Sequence, residues 1–208
     1  LGLFIGTALA ILTVRLHWLH RFIHPIIGAV RATPVASFII LALVWMSSGR
    51  VVIFIVFLMV LPVVWANVAE GIRQTDPKLL EMAFVFHFSR KQLIRFVYVP
   101  SIAPFFMTAA TTSLGLGWKA GVATEVLGRP PLSLGGSLYE AKIYLASAEL
   151  LAYTCVVIII SLALERLLVW LFQRAHQFYR QSSRQSSGMA AVEPTDQVEP
   201  ADRTEDIP

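Results

Sequence analysis

Few residues in this chain are placed to do chemistry, and most of them share one stretch. Glu81-Met82-Ala83-Phe84-Val85-Phe86-His87-Phe88-Ser89-Arg90-Lys91-Gln92 is a polar, basic island between long apolar runs. Asp76 fits an N-cap and Pro77 the first helical position after it, so a short helix is expected from 77 to about 87. Ser89 with Gln92 three residues on reads as a capping box that starts a second helix. Two short helices joined by a tight bend between membrane spans make a protruding knob. Such a knob is built to touch something outside the bilayer.

Outside this stretch the sharpest candidate is Lys119. It lies in an apolar run, where an ionisable group is costly and normally faces a bundle interior or a wet cavity. A lysine there attracts an anionic solute such as a sulfonate, nitrate or carboxylate. Pairing with Glu125, or snorkelling toward the outer surface, are the competing readings. Trp118 either lines the same path or anchors at an interface. Asn67 and Glu70 sit three apart near the end of an earlier span; they pair with a neighbouring helix or border a pore. His17, His20 and His24 recur at helical spacing, and imidazole suits zinc or nickel. No carboxylate or thiol stands nearby, so the plainer reading is an interfacial helix with Trp18 at the headgroup level, and no metal site is assigned.

Catalytic signatures are missing. There is no G-x-x-x-x-G-K-[ST], so the chain has no P-loop and is not expected to hydrolyse ATP. Gly115-Leu116-Gly117-Trp118-Lys119 has the wrong spacing for one. There is no H-E-x-x-H, no G-x-S-x-G and no carboxylate pair in a plausible pocket. No catalytic residue, enzyme activity or cofactor is assigned.

These residues are positioned by helices in a membrane. At 56% hydrophobic and 14% charged, the chain is too apolar for an average soluble domain. Apolar runs at 1–14, 33–46, 51–69, 96–127 and 150–172 give about five spans of an all-α membrane protein. Gly2, Gly6 and Ala10 recur every four residues, a face suited to close helix packing. Pro62 is expected to kink its span. The chain opens at Leu1 inside an apolar pattern, which we read as a truncated N-terminus rather than a signal peptide, with at least one further span missing. The one cysteine, Cys155, allows no internal disulfide.

Charge orients the chain. With the knob in the cytoplasm, thirteen of the 17 lysines and arginines fall inside, leaving Arg50, Lys119, Arg129 and Lys142 in the membrane or outside. That satisfies the positive-inside rule even with the distal tail discounted, and the reverse orientation fails it. Residues 128–149 are then external, with a short helix expected at 137–146. The permease domain is placed at 1–174. Residues 175–208 are polar, then acidic and proline-bearing, and read as a disordered cytoplasmic tail.

The central stretch resembles the coupling motif of ABC importer permeases: Glu-Ala-Ala, three residues, Gly, nine residues, Ile-x-Leu-Pro. Here the register is Glu81-Met82-Ala83, then His87, then Val97-Tyr98-Val99-Pro100. Met82 replaces an alanine and His87 the glycine that permits the bend. Phe88, Ser89 or His87 itself can carry the turn, since histidine tolerates left-handed backbone better than most residues. Arg31-Ala32-Thr33-Pro34, Gly71-Ile72-Arg73-Gln74-Thr75-Asp76-Pro77 and Gly115-Leu116-Gly117-Trp118-Lys119 extend the likeness to the nitrate/sulfonate/taurine-type permeases, over roughly residues 1–173.

The resemblance implies a type I importer fold, with coupling helices at about 77–95. It implies a permease homodimer in lipid with the solute path between protomers. A separate ATPase subunit, which binds the ATP, and an extracytoplasmic solute-binding protein would be its partners; no nucleic acid is expected. Glu81 would meet a basic group of the ATPase, unless it only caps or solvates a surface helix. Ala83 would keep the contact close, and Phe84 and Phe86 would anchor it. Residues 128–149 would be the outer gate region. The rivals are an ion-gradient-driven secondary transporter, which predicts more intramembrane carboxylates, and a membrane scaffold that transports nothing.

Overall fold

The computed structural model describes residues 1–188, and no strand occurs among them. The chain divides into two compact units, Leu1–Val169 and Trp170–Pro208. The first begins with α1 (Gly2–Arg15), α2 (His17–Ala32), α3 (Val35–Trp45) and α4 (Ser48–Arg73). The knob follows as α5 (Pro77–Val85), α6 (Arg90–Leu93) and a π-helical segment (Ile94–Tyr98). Then come α7 (Val99–Gly128), α8 (Leu134–Ile143) and α9 (Ser147–Gly188). The described part of the second unit is the end of α9. The expected tail from 175 lies mostly, at 189–208, outside the described residues, and α9 runs into it as far as Gly188.

The core is the pairing of α4 with α7. Gly117 comes against Val60 and Val56, and Gly121 against Val56, so the missing side chains let the two helices close up. Gly128 lies against Ser48, so the helices run in opposite directions. Near the knob, a Cβ on Gly71 would sit 2.9 Å from Phe105. α1 packs on the same helix through its small face. A Cβ on Gly2 would meet Val60 at 2.8 Å and one on Gly6 would meet Val64 at 2.9 Å, so α1 and α4 run the same way. Ala10 is fully buried in this cluster with Val64, Trp65 and Val68. Trp65 Nε1 donates to Thr13 Oγ1 at 2.9 Å, which satisfies both buried polar groups.

Because α1 and α4 run in parallel, the chain between them must return across the membrane. The span expected at 33–46 cannot do this alone. α3 has 11 residues, about 16 Å of rise against a core of about 30 Å. Instead α2 and α3 form one broken segment bent by 100°. The break falls at Pro34, which has no N–H to continue α2 and disfavours helix at Thr33. α2 is therefore more than a surface helix: Ile27 enters the α1–α4 core, and His20 and His24 meet Trp65 edge-on with centroids 5.6 and 6.2 Å away. Among the described residues, no three metal-ligating side chains come together.

Three helices are long and apolar enough to cross a membrane: α4, the continuous run from α6 through α7, and Ser147–Phe172 of α9. Counting the bent pair as one span gives up to four, and α1 is a shorter apolar helix. α4 continues as one helix through Pro62. No residue of α9 up to Val169 is buried, so its apolar side chains face lipid or another protein surface.

The small-residue contacts predict an asymmetry. Gly6→Leu should lower the stability of the purified protein by about 1–3 kcal/mol through overpacking. Gly28→Ala, where nothing lies within 4 Å of the new Cβ, should leave it unchanged or slightly higher. Thermal unfolding in detergent checks both.

Candidate functional site

The knob is built by local capping. The Asp76 carboxylate accepts the Lys78 N–H at 2.9 Å, and Pro77 opens α5. α5 then stops at a Schellman turn. Phe88 N–H donates to Ala83 O at 2.9 Å and His87 N–H to Phe84 O at 3.1 Å. His87 occupies the left-handed position, with φ 51°. The residue in the motif's glycine position thus makes the bend itself, rather than Phe88 or Ser89. Ser89 and Gln92 close the expected capping box, with Ser89 N–H donating to Gln92 Oε1 at 2.8 Å.

After one turn α6 widens into the π-helical segment, where Val99 N–H reaches back to Ile94 O. Pro100 explains the widening. Its ring would crowd the carbonyl four residues back, and it has no N–H to offer that group. The Phe88 ring meets Phe96 edge-on at 6.4 Å and ties the bend to this segment. α5 also packs against it, and Ala83 and Val97 are both 2% exposed. Ala83 is therefore part of the knob's own packing. What the knob presents outward is Glu81, Met82, Phe84, Val85, Phe86 and His87. Phe84 is 80% and Phe86 69% exposed, a high cost for two aromatic rings with no covering surface.

The expected path residues separate. Lys119 is exposed on α7, facing away from α4, and has no ion pair among the described residues. Trp118, its neighbour, turns about 100° to the other side. It lines an apolar cavity of about 760 Å³ between α1, α4 and α7, where its Nε1–H is buried and without a partner. Glu125 does not reach Lys119: its Oε2 accepts the Gly135 N–H at 3.0 Å. Asn67 Nδ2 donates to Val63 O of its own helix at 2.8 Å, and Glu70 accepts from Gln74 Nε2 at 2.7 Å. Neither reaches across to another helix.

Sequence reasoning missed Thr108 and Thr112. Both are exposed, and with Lys119 they form a polar stripe along one face of α7 at spacings of four and seven. Thr111 stands at its edge, bonded to Met107 O at 3.0 Å. The spacing was there to read, but threonines in an apolar run attract little notice. Thr108 bonds Pro104 O of its own helix at 3.0 Å, so the residue of the stripe that calls for a wet path or a protein partner is Lys119.

Helices of this length, joined by this knob, define a multi-pass membrane protein. Over residues 2–177 the chain matches the family described as binding-protein-dependent transport system inner membrane component, and it belongs to that family of multi-pass inner membrane proteins. It is 30% identical over 162 residues to the riboflavin transport system permease protein of Chloroflexus aurantiacus, covering 74% of this chain and 60% of that protein. It is 28% identical over 159 residues to the nitrate import permease protein of Synechococcus elongatus, covering 74% and 56%. With the taurine transport system permease protein of Escherichia coli it shares 28% identity over 142 residues, covering 68% and 51%. The chain spans between half and three-fifths of the length of these relatives.

The bend at position 87 makes a direct prediction. Left-handed backbone costs a non-glycine residue about 1–2 kcal/mol, so His87→Gly should keep the knob intact and raise stability by about 1 kcal/mol. His87→Val, β-branched at φ 51°, should lose at least as much. Thermal unfolding, with amide exchange across 77–93, measures both.

Proposed function

We propose that this chain is the permease subunit of an ATP-binding-cassette importer, acting as a homodimer with the solute path between protomers. The observation that carries the reading is the knob: a capped helical elbow between two spans, with Glu81 and two bare phenylalanines turned outward. Exposed aromatic side chains flanked by charge are the usual anchors of a protein interface. The family and the motif spacing support an ATPase subunit as the partner, and the positive-inside rule supports a knob on the cytoplasmic side with it. A solute-binding protein delivers cargo to the opposite face.

The Lys119–Thr112–Thr108 stripe is the path wall contributed by each copy. Its one cation selects small anions. Nitrate, taurine and bicarbonate, named for several relatives, fit that preference; riboflavin, named for another, shows that the family is not confined to them. ATP-driven closure of the ATPase pair pushes the two knobs, and α4 and α7 carry the movement into the membrane.

Two variants test the reading. Glu81→Lys should weaken capture of the ATPase subunit in a pull-down and abolish uptake; retention of both overturns the docking assignment. Lys119→Met should raise the apparent KM for an anionic cargo about tenfold, the size of one lost charged hydrogen bond, with ATPase capture unchanged. An unaltered KM removes Lys119 from the path.

A further inference from the structure

α2 is apolar on two opposite faces. One packs inside the protein: Ile27 lies in the α1–α4 core, and Ile23 packs against that core. The other is bare. Trp18, Phe22 and Ile26 recur every four residues and are 61, 68 and 62% exposed. The Trp18 and Phe22 rings meet edge-on at 6.3 Å, which makes the start of the stripe continuous. Basic side chains border it. Arg21, one turn on from Trp18, is exposed, as are Arg15 at the end of α1 and Arg31 in the last turn of α2. No carboxylate of α1, α2 or α3 can pair with them, because Glu70 is the first acidic residue in the sequence.

Depth and backbone chemistry place this face at a membrane boundary. α2 turns by 100° from α3 and crosses α4 at Trp65, through His20 and His24. Trp65 precedes Arg73, the last residue of α4, by about 12 Å of rise. An amphipathic helix in the interface lies at a similar level, about 5–10 Å into the boundary between headgroups and acyl chains. Pro25, exposed on the same side as the stripe, has no N–H to offer Arg21 O. A carbonyl without its donor is costly in hydrocarbon, whereas water reaches it at the headgroup level. Three bare apolar side chains in a row do not suit a helix in water, and three arginines do not suit one among acyl chains. The interface suits both, since indole rings settle there and arginines reach outward from it.

We propose that α2 is a docking surface for anionic phospholipid of the cytoplasmic leaflet: Trp18, Phe22 and Ile26 enter the acyl chains, and Arg15, Arg21 and Arg31 hold the phosphates. The unmatched positive charge selects anionic headgroups over zwitterionic ones. The opposite face of α2 packs on α1 and α4, so lipid held here is attached to the helix that leads into the knob. This inference goes beyond the permease reading and takes from it only the side of the membrane.

The test uses the full chain in nanodiscs of phosphatidylcholine, with and without phosphatidylglycerol. With Cys155→Ser as background, Phe22→Cys carries a nitroxide. Its collisions with oxygen should be frequent and those with a water-soluble nickel chelate rare, as for a side chain among acyl chains. A nitroxide shielded from both reagents means that a second copy or another protein covers the stripe, and one open to the nickel chelate means water; either result overturns the proposal. A second arm measures how strongly the chain selects spin-labelled phosphatidylglycerol over spin-labelled phosphatidylcholine. Arg15→Gln/Arg21→Gln/Arg31→Gln should lower that selectivity about fivefold or more, and lysine at the same three positions should keep it within about twofold. Arg90→Gln/Lys91→Gln, in the knob, should also stay within about twofold, which separates α2 from the basic charge of that side at large. Thermal unfolding of the glutamine variant at the native temperature checks that its fold is kept. Equal selectivity in the native and glutamine chains, or an equal loss in the knob variant, overturns the assignment. Neither arm involves an ATPase subunit, so failure of the permease reading would leave both results standing.

Discussion

The close approach of α7 to α4 sets the geometry on which the rest depends. In a bilayer, apolar side chains gain little by leaving lipid for protein, so helices associate through fit. Gly117 and Gly121 supply that fit by lacking a side chain where Val56 and Val60 need room. At the end near the knob the arrangement reverses: the glycine is on α4, at Gly71, and the bulky side chain is Phe105 of α7. The two helices that hold the knob are thus locked along their length.

This arrangement gives α7 two unlike faces. On the packed side, Ser113 and Thr124 are buried, and each bonds a carbonyl of its own helix, Ala110 O at 3.1 Å and Ala120 O at 2.7 Å. Neither hydroxyl is left to want water. On the other side, Thr112 and Lys119 are uncovered, as is Thr108, whose hydroxyl also bonds its own helix, at Pro104 O and 3.0 Å. A single helix therefore serves as core on one face and as candidate path on the other, and its ends carry the knob and α8.

What could be read from the sequence was mostly local. The Asp76 cap, the Pro77 start and the Ser89–Gln92 box depend on neighbours within four residues, and the structure reproduces them. The small face of α1 was legible for the same reason: Gly2, Gly6 and Ala10 repeat once per turn. The bend was only narrowed to three residues, because His87, Phe88 and Ser89 all precede the second helix and the Schellman bonds decide among them. Hydropathy marked an apolar run at 33–46 but could not reveal that it is one arm of a segment bent by 100° at Pro34. Trp118 and Lys119 were grouped because they are adjacent, although adjacency on a helix separates side chains by about 100°. The bond from Gly135 to Glu125 joins residues ten apart across a turn, and no periodicity marks it.

The knob is proposed to stand on the cytoplasmic side and to receive force from a separate ATPase there. Accessibility of one introduced thiol tests it most directly. With Cys155 replaced by serine, Lys91→Cys should react with an impermeant maleimide in inverted vesicles and stay unlabelled in intact cells. Adding the ATPase subunit should slow the labelling. Rapid labelling of that thiol from outside intact cells would contradict the account.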